Sequence, residues 1–314
     1  MKDLLRTQDL SRDDVELLLE TAAAFAEDPL RSKSALANKS VAIYMTKPST
    51  RTRLSSETAV AHLGGTPIFI RGDELQLGRG ETIEDTAKII SGYCSALIIR
   101  TFAQSDVDQL GAYASIPVIN ALTDVDHPTQ LLADWLTIRE NFGTDISGRK
   151  FVYLGDGNNM SHAWLIMGAI MGAHVVAATP SGKWAPDPVV VAVAKNIAAN
   201  SGGKVEVTND PEAAAKDASV LYTDVWMSMG DSESDRAEKM KALSPFAVTE
   251  SLMKLSSKDS LFMHCLPAHR GEEVEATVID GPRSVIWREA YHRRTTIQSI
   301  LYHLVRGDLK GYTH

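Results

Sequence analysis

Cysteine, long apolar runs and excess positive charge are all scarce in this sequence, and each shortage excludes a class of protein. Only two of the 314 residues are cysteine, Cys94 and Cys265, which is too few for a disulfide framework and compatible with a reducing cytoplasm. No apolar stretch is long enough to span a bilayer, and residues 1–20 lack the apolar core of a signal peptide. Asp and Glu outnumber Lys and Arg by 40 to 32, which argues against nucleic-acid or acidic-membrane binding. We therefore expect a cytoplasmic protein with no nucleic-acid or membrane partner.

The sequence does contain a regular alternation of apolar runs and amphipathic stretches. With 44% hydrophobic and 23% charged residues, it is typical of a globular chain, and its length suffices for two domains. Such alternation is typical of parallel sheets flanked by helices, so we predict two α/β domains. The runs interpreted as strands are Val41–Met45, Pro67–Ile70, Ala96–Ile99, Pro117–Ile119, Phe151–Leu154, His174–Ala178, Val205–Val207, Ser219–Tyr222, Leu261–Met263 and Ser284–Ile286. The helix-like stretches of the first half are Asp9–Ala26, Leu54–Leu63, Thr82–Gly92, Ser105–Ala114 and Thr129–Asn141.

A polar segment from Gly143 to Arg149 marks the expected boundary between the domains. We expect residues 1–140 to form the first domain and residues 150–287 to form the second. The last periodic stretch, Arg288–Val305, predicts a terminal helix. Residues 288–314 are therefore expected to pack back against the first domain.

The segment Lys47-Pro-Ser-Thr-Arg-Thr-Arg53 follows the first predicted strand and precedes a helix-like stretch. Two guanidiniums, three hydroxyls and the unpaired N–H groups of a helix's first turn would converge there, and all of them suit a phosphate or carboxylate. The alternative is that Ser49 or Thr50 only caps the helix while both arginines lie in solvent. This segment alone leaves both interpretations open.

Other unusual polar residues also follow predicted strands, where open parallel sheets bind their ligands. Arg100 follows four apolar residues, although a lone arginine there is also typical of a solvated strand end. His127 opens the tetrad His127-Pro-Thr-Gln130 at the start of a helix, and by itself it could be a capping or core histidine.

In the second half, Gly155-Asp-Gly-Asn-Asn159 follows a strand and is similar to a dinucleotide-binding turn. Met160 stands where the third glycine of that fingerprint is needed, and Thr179-Pro180 stands where the ribose-binding acid is expected. The glycines more simply permit a tight turn that leaves Asn159 exposed to a small ligand. The sequence thus disfavours a nicotinamide-dependent dehydrogenase.

Two further strand ends carry candidate residues. Asp224 precedes Ser228 by four residues, so together they could bind an ammonium and a carboxylate, although an Asx-type turn is the plain alternative. Cys265, in His264-Cys-Leu-Pro267, could be a nucleophile, a metal ligand or a buried apolar residue. Metal ligation would need further ligands at suitable spacing, so we predict no metal site. A non-catalytic anion-binding module would need neither Asp224 nor Cys265.

Together, four motifs resemble those of the ornithine carbamoyltransferases, and the similarity covers essentially the whole chain. The motifs are Ser49-Thr-Arg-Thr-Arg53, His127-Pro-Thr-Gln130, Asp224-x-x-x-Ser-Met-Gly230 and His264-Cys-Leu-Pro267. The first two are shared by carbamoyltransferases in general, whereas the last two look like the ornithine enzymes. The resemblance implies direct transfer of the carbamoyl group of carbamoyl phosphate to the side-chain amine of L-ornithine in a ternary complex, giving L-citrulline and phosphate. It implies no cofactor, and a modified ornithine is the nearest alternative substrate.

The resemblance also implies roles for individual residues. Carbamoyl phosphate would bind to the first domain at Ser49, Thr50, Arg51, Thr52, Gln76, Arg100, His127, Gln130 and Arg293, and to Cys265 and Leu266 of the second. Ornithine would bind to the second domain at Asn159, Asp224, Ser228 and Met229. Arg100, His127 and Cys265 are the expected catalytic residues, and Gln76 would reach the site of a neighbouring subunit in a homotrimer. The family commonly has Ala-Glu-Asn-Arg in its C-terminal helix, where this chain has Ala290-Tyr-His-Arg293.

Overall fold

The computed structural model describes residues 1–75, 80–227 and 233–311. Its contacts divide the chain into two compact units, residues 1–136 with 291–314 (unit 1) and residues 137–290 (unit 2). Each unit is built on a parallel sheet flanked by helices, which confirms the predicted fold class. None of the described helices combines the length and apolar character needed to cross a membrane.

Unit 1 has a four-stranded sheet in the order β2-β1-β3-β4. Its elements are α1 (Arg12–Glu27), β1 (Ser40–Met45), α2 (Thr50–His62), β2 (Thr66–Arg71), α3 (Ile83–Tyr93), β3 (Ala96–Arg100), α4 (Gln104–Tyr113), β4 (Val118–Leu122) and most of the described length of α5 (Pro128–Phe142). Every residue of the central strand β3 is buried, whereas the edge strand β2 alternates between exposed and half-buried residues. Because β1, β3 and β4 run parallel, the turns that follow them leave the same edge of the sheet.

Unit 2 has a five-stranded sheet in the order β7-β6-β5-β8-β9. Its elements are β5 (Lys150–Leu154), α6 (Asn159–Ile170), β6 (His174–Ala178), α7 (Pro188–Ser201), β7 (Lys204–Thr208), α8 (Pro211–Ala215), β8 (Val220–Thr223), α9 (Arg236–Leu243), α10 (Glu250–Leu255), β9 (Leu261–His264) and α11 (Ala276–Ile279). The terminal helix α12 (Ile286–Arg306) begins in unit 2 and continues into unit 1. The strand order reverses at β5, between β6 and β8. Such a switch point opens a crevice beyond the carboxyl ends of the strands.

The terminal helix α12 confirms the predicted helix and its packing on the first unit. Ile297 and Ile300 are fully buried, the Ser299 hydroxyl donates to the Leu18 carbonyl at 2.8 Å, and the Gln298 amide donates to the Pro29 carbonyl at 2.7 Å. The predicted strand at Ser284–Ile286 is wrong. Ser284 forms only an isolated bridge to Phe262, and α12 already begins at Ile286. Three apolar or small residues are too few for periodicity to separate a strand from a first helical turn.

Candidate active site

The turn after β1 starts α2 with a capped and partly buried first turn. The Ser49 hydroxyl accepts a hydrogen bond from the Thr52 N–H at 3.2 Å, so Ser49 is the N-cap and Thr50 begins the helix. Thr52 is fully buried and Arg51 is half-buried. The segment is thus both a helix cap and a set of donors turned toward the protein interior.

Arg53 does not join that set, contrary to the expected convergence of both guanidiniums. Its Nε donates to Glu57 Oε1 at 3.0 Å, and its guanidinium lies 3.8 Å from the centre of the Phe69 ring. Residues two apart on a helix point in roughly opposite directions, about 200° apart. Since Arg51 points toward the interior, Arg53 must point toward the surface.

Three arginines, Arg51, Arg100 and Arg293, lie near enough to His127 for their charges to act on its imidazole, and they are called the arginine cluster here. His127 is only 4% exposed. Burial, followed by the charges of Arg293, Arg100 and Arg51, holds its pKa well below the usual value of 6.5. The ring is therefore neutral at physiological pH, while its surroundings are strongly cationic and suited to an anion.

Arg293 contacts two of the predicted site residues, Gln130 and Thr52, and also Thr129. Its Nη1 donates to Gln130 Oε1 at 2.6 Å, and its Nη2 lies 3.4 Å from Thr52 Oγ1 and 3.3 Å from Thr129 Oγ1. Gln130 also donates from Nε2 to Asp134 Oδ1 at 2.7 Å, which fixes the orientation of its amide. The arginine cluster, Thr52, His127 and Gln130 therefore form one continuous group within unit 1.

The unusual neighbours of Arg293 do not displace it from this group. His292 is fully buried and lies with Nδ1 3.2 Å from the Thr295 hydroxyl. Tyr291 accepts a hydrogen bond from Arg294 Nη2 at 2.7 Å on the exposed side of the helix. With these neighbours in place, the Arg293 side chain is still directed at Thr52 and Gln130.

In unit 2, the glycine-rich turn after β5 is tight, as predicted. Gly155 has a φ of +139°, and a Cβ on Gly157 would lie 2.2 Å from the carbonyl carbon of Ala185. Asn158 caps α6 by accepting from the N–H groups of Met160 and Ser161 at 2.9 and 3.3 Å. Asn159 is the first residue of that helix and is half-buried at the crevice edge.

A second polar group, called the acidic corner here, consists of Asp156, Asp224 and Cys265 around the Tyr153 hydroxyl. Asp224 is 7% exposed, and its Oδ1 accepts from the Cys265 thiol at 3.0 Å and from the Val225 N–H at 2.8 Å. Burial, with the neighbouring Asp224, Asp156 and Cys265, raises the pKa of Tyr153 well above its usual value. Asp156 is paired with the buried Lys239 at 2.7 Å, so Asp224 is the carboxylate of this corner best suited to an ammonium ligand.

The turn after β9 is held by His264. The Leu266 N–H donates to His264 Nδ1 at 2.8 Å, so the ring proton lies on Nε2, which donates to the buried Glu273 at 3.2 Å. The His264 N–H donates to Glu289 Oε2 at 3.0 Å. Asp224, His264 and Cys265 lie close enough together for a metal ion, but both imidazole nitrogens of His264 are already engaged. Within the described part of unit 2, this cluster therefore offers at most a thiol and one carboxylate.

Sequence reasoning missed several supporting residues. Thr129 lies between Arg293 and His127, Asp126 accepts from the His127 N–H at 2.7 Å, and Glu273 and Glu289 hold His264. Thr129 could have been found from its place in the His-Pro-Thr-Gln motif, and Asp126 is one of the polar residues that follow the fourth predicted strand. Glu273 and Glu289 carry no local signal. Gln76, Ser228 and Met229, which the sequence analysis assigned to substrates, lie outside the described residues.

The fold and these two groups define a class of protein: two parallel-sheet α/β units, one with an arginine cluster and one with an acidic corner. Residues 2–140 match the carbamoyl-P binding domain of aspartate/ornithine carbamoyltransferase, and residues 147–304 match the Asp/Orn binding domain. The chain therefore belongs to the aspartate/ornithine carbamoyltransferase family, which confirms the resemblance.

Individual relatives match over nearly their whole length. The chain is 48% identical over 313 residues to an ornithine carbamoyltransferase of Pyrococcus horikoshii, covering 99% of this chain and 98% of that one. It is 47% identical over 311 residues to an anabolic ornithine carbamoyltransferase of Pyrococcus furiosus, covering 98% of each chain. A solved structure of the P. furiosus enzyme superposes with a TM-score of 0.92 at 46% identity over 98% of both chains.

Proposed function

We propose that this protein transfers the carbamoyl group of carbamoyl phosphate to the side-chain amine of L-ornithine, releasing L-citrulline and phosphate. The observation that carries the proposal is the arginine cluster around a neutral His127, beside the capped start of α2. The two Pyrococcus relatives are named as ornithine carbamoyltransferases, and the second is named as anabolic, which favours a role in arginine biosynthesis.

On carbamoyl phosphate, each group of unit 1 would have a distinct task. The phosphate would be held by Ser49, Thr50, Arg51, Thr52 and Arg100. The N–H groups in the first turn of α2 would donate further hydrogen bonds to it. Thr52, Arg100 and His127 would approach the carbonyl oxygen. A neutral imidazole carries one N–H group, which can donate to that oxygen. Gln130 and the carbonyls of Cys265 and Leu266 would accept from the carbamoyl nitrogen, and Arg293 would contact the same substrate.

The chemistry needs stabilised oxygens rather than a covalent intermediate. A neutral amine attacks the carbamoyl carbon, a C–N bond forms, and the bond from that carbon to the phosphate oxygen breaks. The proton that the attacking nitrogen must lose passes to the departing phosphate. Negative charge grows on the carbonyl oxygen and then on the departing phosphate, where fixed cationic donors lower the barrier. Holding both substrates together in a ternary complex supplies the remaining advantage.

Ornithine would be recognised by the acidic corner and the residues beside it. Asn159, Asp224, Ser228 and Met229 would bind its α-amino and α-carboxylate groups, and Cys265 would lie near its side-chain amine. That amine must lose its proton before attack. The Asp224 carboxylate, which accepts from the Cys265 thiol at 3.0 Å, would be the group that accepts this proton.

Unit 1 also supports a homotrimer that shares active sites. Large apolar side chains lie exposed on α2 and α3, the helices before and after β2 in the chain: Leu54 at 58%, Ile89 at 51% and Tyr93 at 79%. Burial of these side chains against another copy fits the resemblance, which assigns Gln76 to the site of a neighbouring subunit. Sedimentation equilibrium should give three chains per particle, and a stable monomer would contradict this arrangement. The free cysteines Cys94 and Cys265 agree with a cytoplasmic enzyme.

The proposed reaction is tested by offering ornithine, acetylornithine, putrescine and aspartate side by side with carbamoyl phosphate. We expect ornithine to give the highest kcat/KM, because Asp224 and its neighbours suit an α-amino acid with a free side-chain amine. A higher kcat/KM for acetylornithine would assign the enzyme to a modified ornithine. Turnover of none of the four acceptors would contradict carbamoyl transfer itself.

A further inference from the structure

The N-terminal segment of unit 1 runs beside β4 as a short additional edge. The Leu4 N–H donates to the Val118 carbonyl at 2.9 Å, and the Asn120 N–H donates to the Leu4 carbonyl at 2.8 Å. Leu4 forms a parallel bridge with Ile119. This pairing places Thr7 beside the loop that carries His127.

At that loop, the Asp126 side chain joins Thr7 to the backbone of His127. Asp126 Oδ2 accepts from the Thr7 N–H at 2.5 Å, while its Oδ1 accepts from the Thr7 hydroxyl at 2.8 Å and from the His127 N–H at 2.7 Å. The carboxyl is only 7% exposed. Burial raises its pKa to about 6, so at neutral pH it is ionised and accepts all three hydrogen bonds.

A second path of hydrogen bonds returns from this loop to the N-terminal segment. The Asp126 N–H donates to the Thr123 hydroxyl at 3.2 Å, and that hydroxyl donates to Gln104 Oε1 at 2.7 Å. Gln104 in turn donates from Nε2 to the Leu5 carbonyl at 3.2 Å. The loop is therefore held on two sides by residues 5–7, which lie more than a hundred positions away in sequence.

We propose that Asp126 and Thr7 are positioning residues for His127, through which the N-terminal segment sets the place of the imidazole. This inference rests on the proposed function, because His127 acts only if it meets the carbonyl oxygen of carbamoyl phosphate. Catalytic donors must be held within about 0.5 Å of their productive position. The buried carboxylate of Asp126 supplies that constraint, because it accepts hydrogen bonds from both the His127 N–H and Thr7.

The test compares variants that alter this link with one that alters a similar contact elsewhere. Asp126→Asn keeps the size of the side chain but places an N–H₂ group among three donors. Thr7→Val removes the hydroxyl and keeps the backbone N–H, whereas Thr7→Ser keeps both. The matched control is Asp3→Asn, because Asp3 Oδ1 likewise accepts a backbone N–H, from Val118 at 2.8 Å, away from His127.

Turnover is measured per binding site, with sites counted by calorimetric titration with phosphonoacetamide, a stable analogue of carbamoyl phosphate. We expect Asp126→Asn to lower kcat about ten- to a hundredfold and Thr7→Val about three- to tenfold, with analogue affinity changed less than about threefold. Thr7→Ser and Asp3→Asn should stay within about twofold of the wild type. The double variant Asp126→Asn with Thr7→Val should lose little more than Asp126→Asn alone.

Equal losses in Asp3→Asn and Asp126→Asn would overturn the inference, as would normal kcat per site in both Asp126→Asn and Thr7→Val. If Asp126→Asn does not fold, the contrast between Thr7→Val and Thr7→Ser decides. Absence of wild-type turnover would instead refute the proposed function, so the two failures are distinguishable.

Discussion

Unit 1 groups arginines and unit 2 groups carboxylates, and the two sets of charges have different partners. In unit 1, the arginine cluster surrounds an imidazole that is kept neutral, so cationic and neutral donors lie side by side. In unit 2, one carboxylate of the acidic corner is neutralised by Lys239, while Asp224 accepts from a thiol and a backbone N–H. The comparison shows that one chain can place a cationic group suited to an anion in one unit and a carboxylate suited to an ammonium in the other.

The largest expected effect is a loss of kcat/KM in Arg51→Ala that Arg53→Ala, two residues away, does not share. Arg51→Ala removes charged hydrogen bonds to the phosphate worth about 1.5–3 kcal/mol or more, so kcat/KM should fall about tenfold to several hundredfold. Steady-state citrulline formation measures this. Arg53→Ala is the matched control, and it should retain at least about a third of the activity because Arg53 contacts Glu57 and Phe69 instead. Near-normal turnover by Arg51→Ala would refute its phosphate role.

A smaller and more selective effect is expected in the acidic corner. Asp224→Ala should raise the KM for ornithine about ten- to a hundredfold, because it removes a charged partner of the amino acid. Calorimetric binding of phosphonoacetamide should change less than about threefold, since the arginine cluster is untouched. Equal losses of both affinities would contradict the division of tasks between the units.

The smallest effect concerns the charge of His127. A folded-state pKa depressed below 6.5 means that the fold favours the neutral ring, so this stabilisation is complete above that pH and is lost as the pH falls through the depressed pKa. The urea-unfolding free energy of the wild type should therefore fall more steeply below pH 6.5 than that of His127→Gln. A steeper fall in the variant would show that the imidazole is protonated in the folded protein.

Much of the architecture could be predicted from the sequence because it depends on local patterns. The strand His174–Ala178 has the predicted bounds, and the turn at Gly155–Asn159 has the tight backbone that its glycines indicate. Arg53 shows a limit of motif reasoning, since the motif groups both arginines whereas helical spacing separates them. Ser284–Ile286 shows another, because so short a run carries no usable period.

The supporting contacts of the candidate site could not be predicted, because they join residues far apart in the chain. Thr7 meets Asp126 across 119 positions, and Arg293 meets Gln130 across 163. The tautomer of His264 likewise depends on Glu273 and the Leu266 N–H, which only the folded turn brings together. Local sequence motifs indicated the proposed substrate-binding groups, and the tertiary structure shows which groups contact them.

The reaction proposed for this protein is the transfer of a carbamoyl group from carbamoyl phosphate to ornithine. It is tested most directly by supplying the wild-type enzyme with carbamoyl phosphate labelled at the carbonyl carbon, with and without L-ornithine, and following label and phosphate together. We predict that label appears in citrulline in equal amount to the phosphate released, and only when ornithine is present. Phosphate release without labelled citrulline, or no reaction with ornithine, would contradict the account.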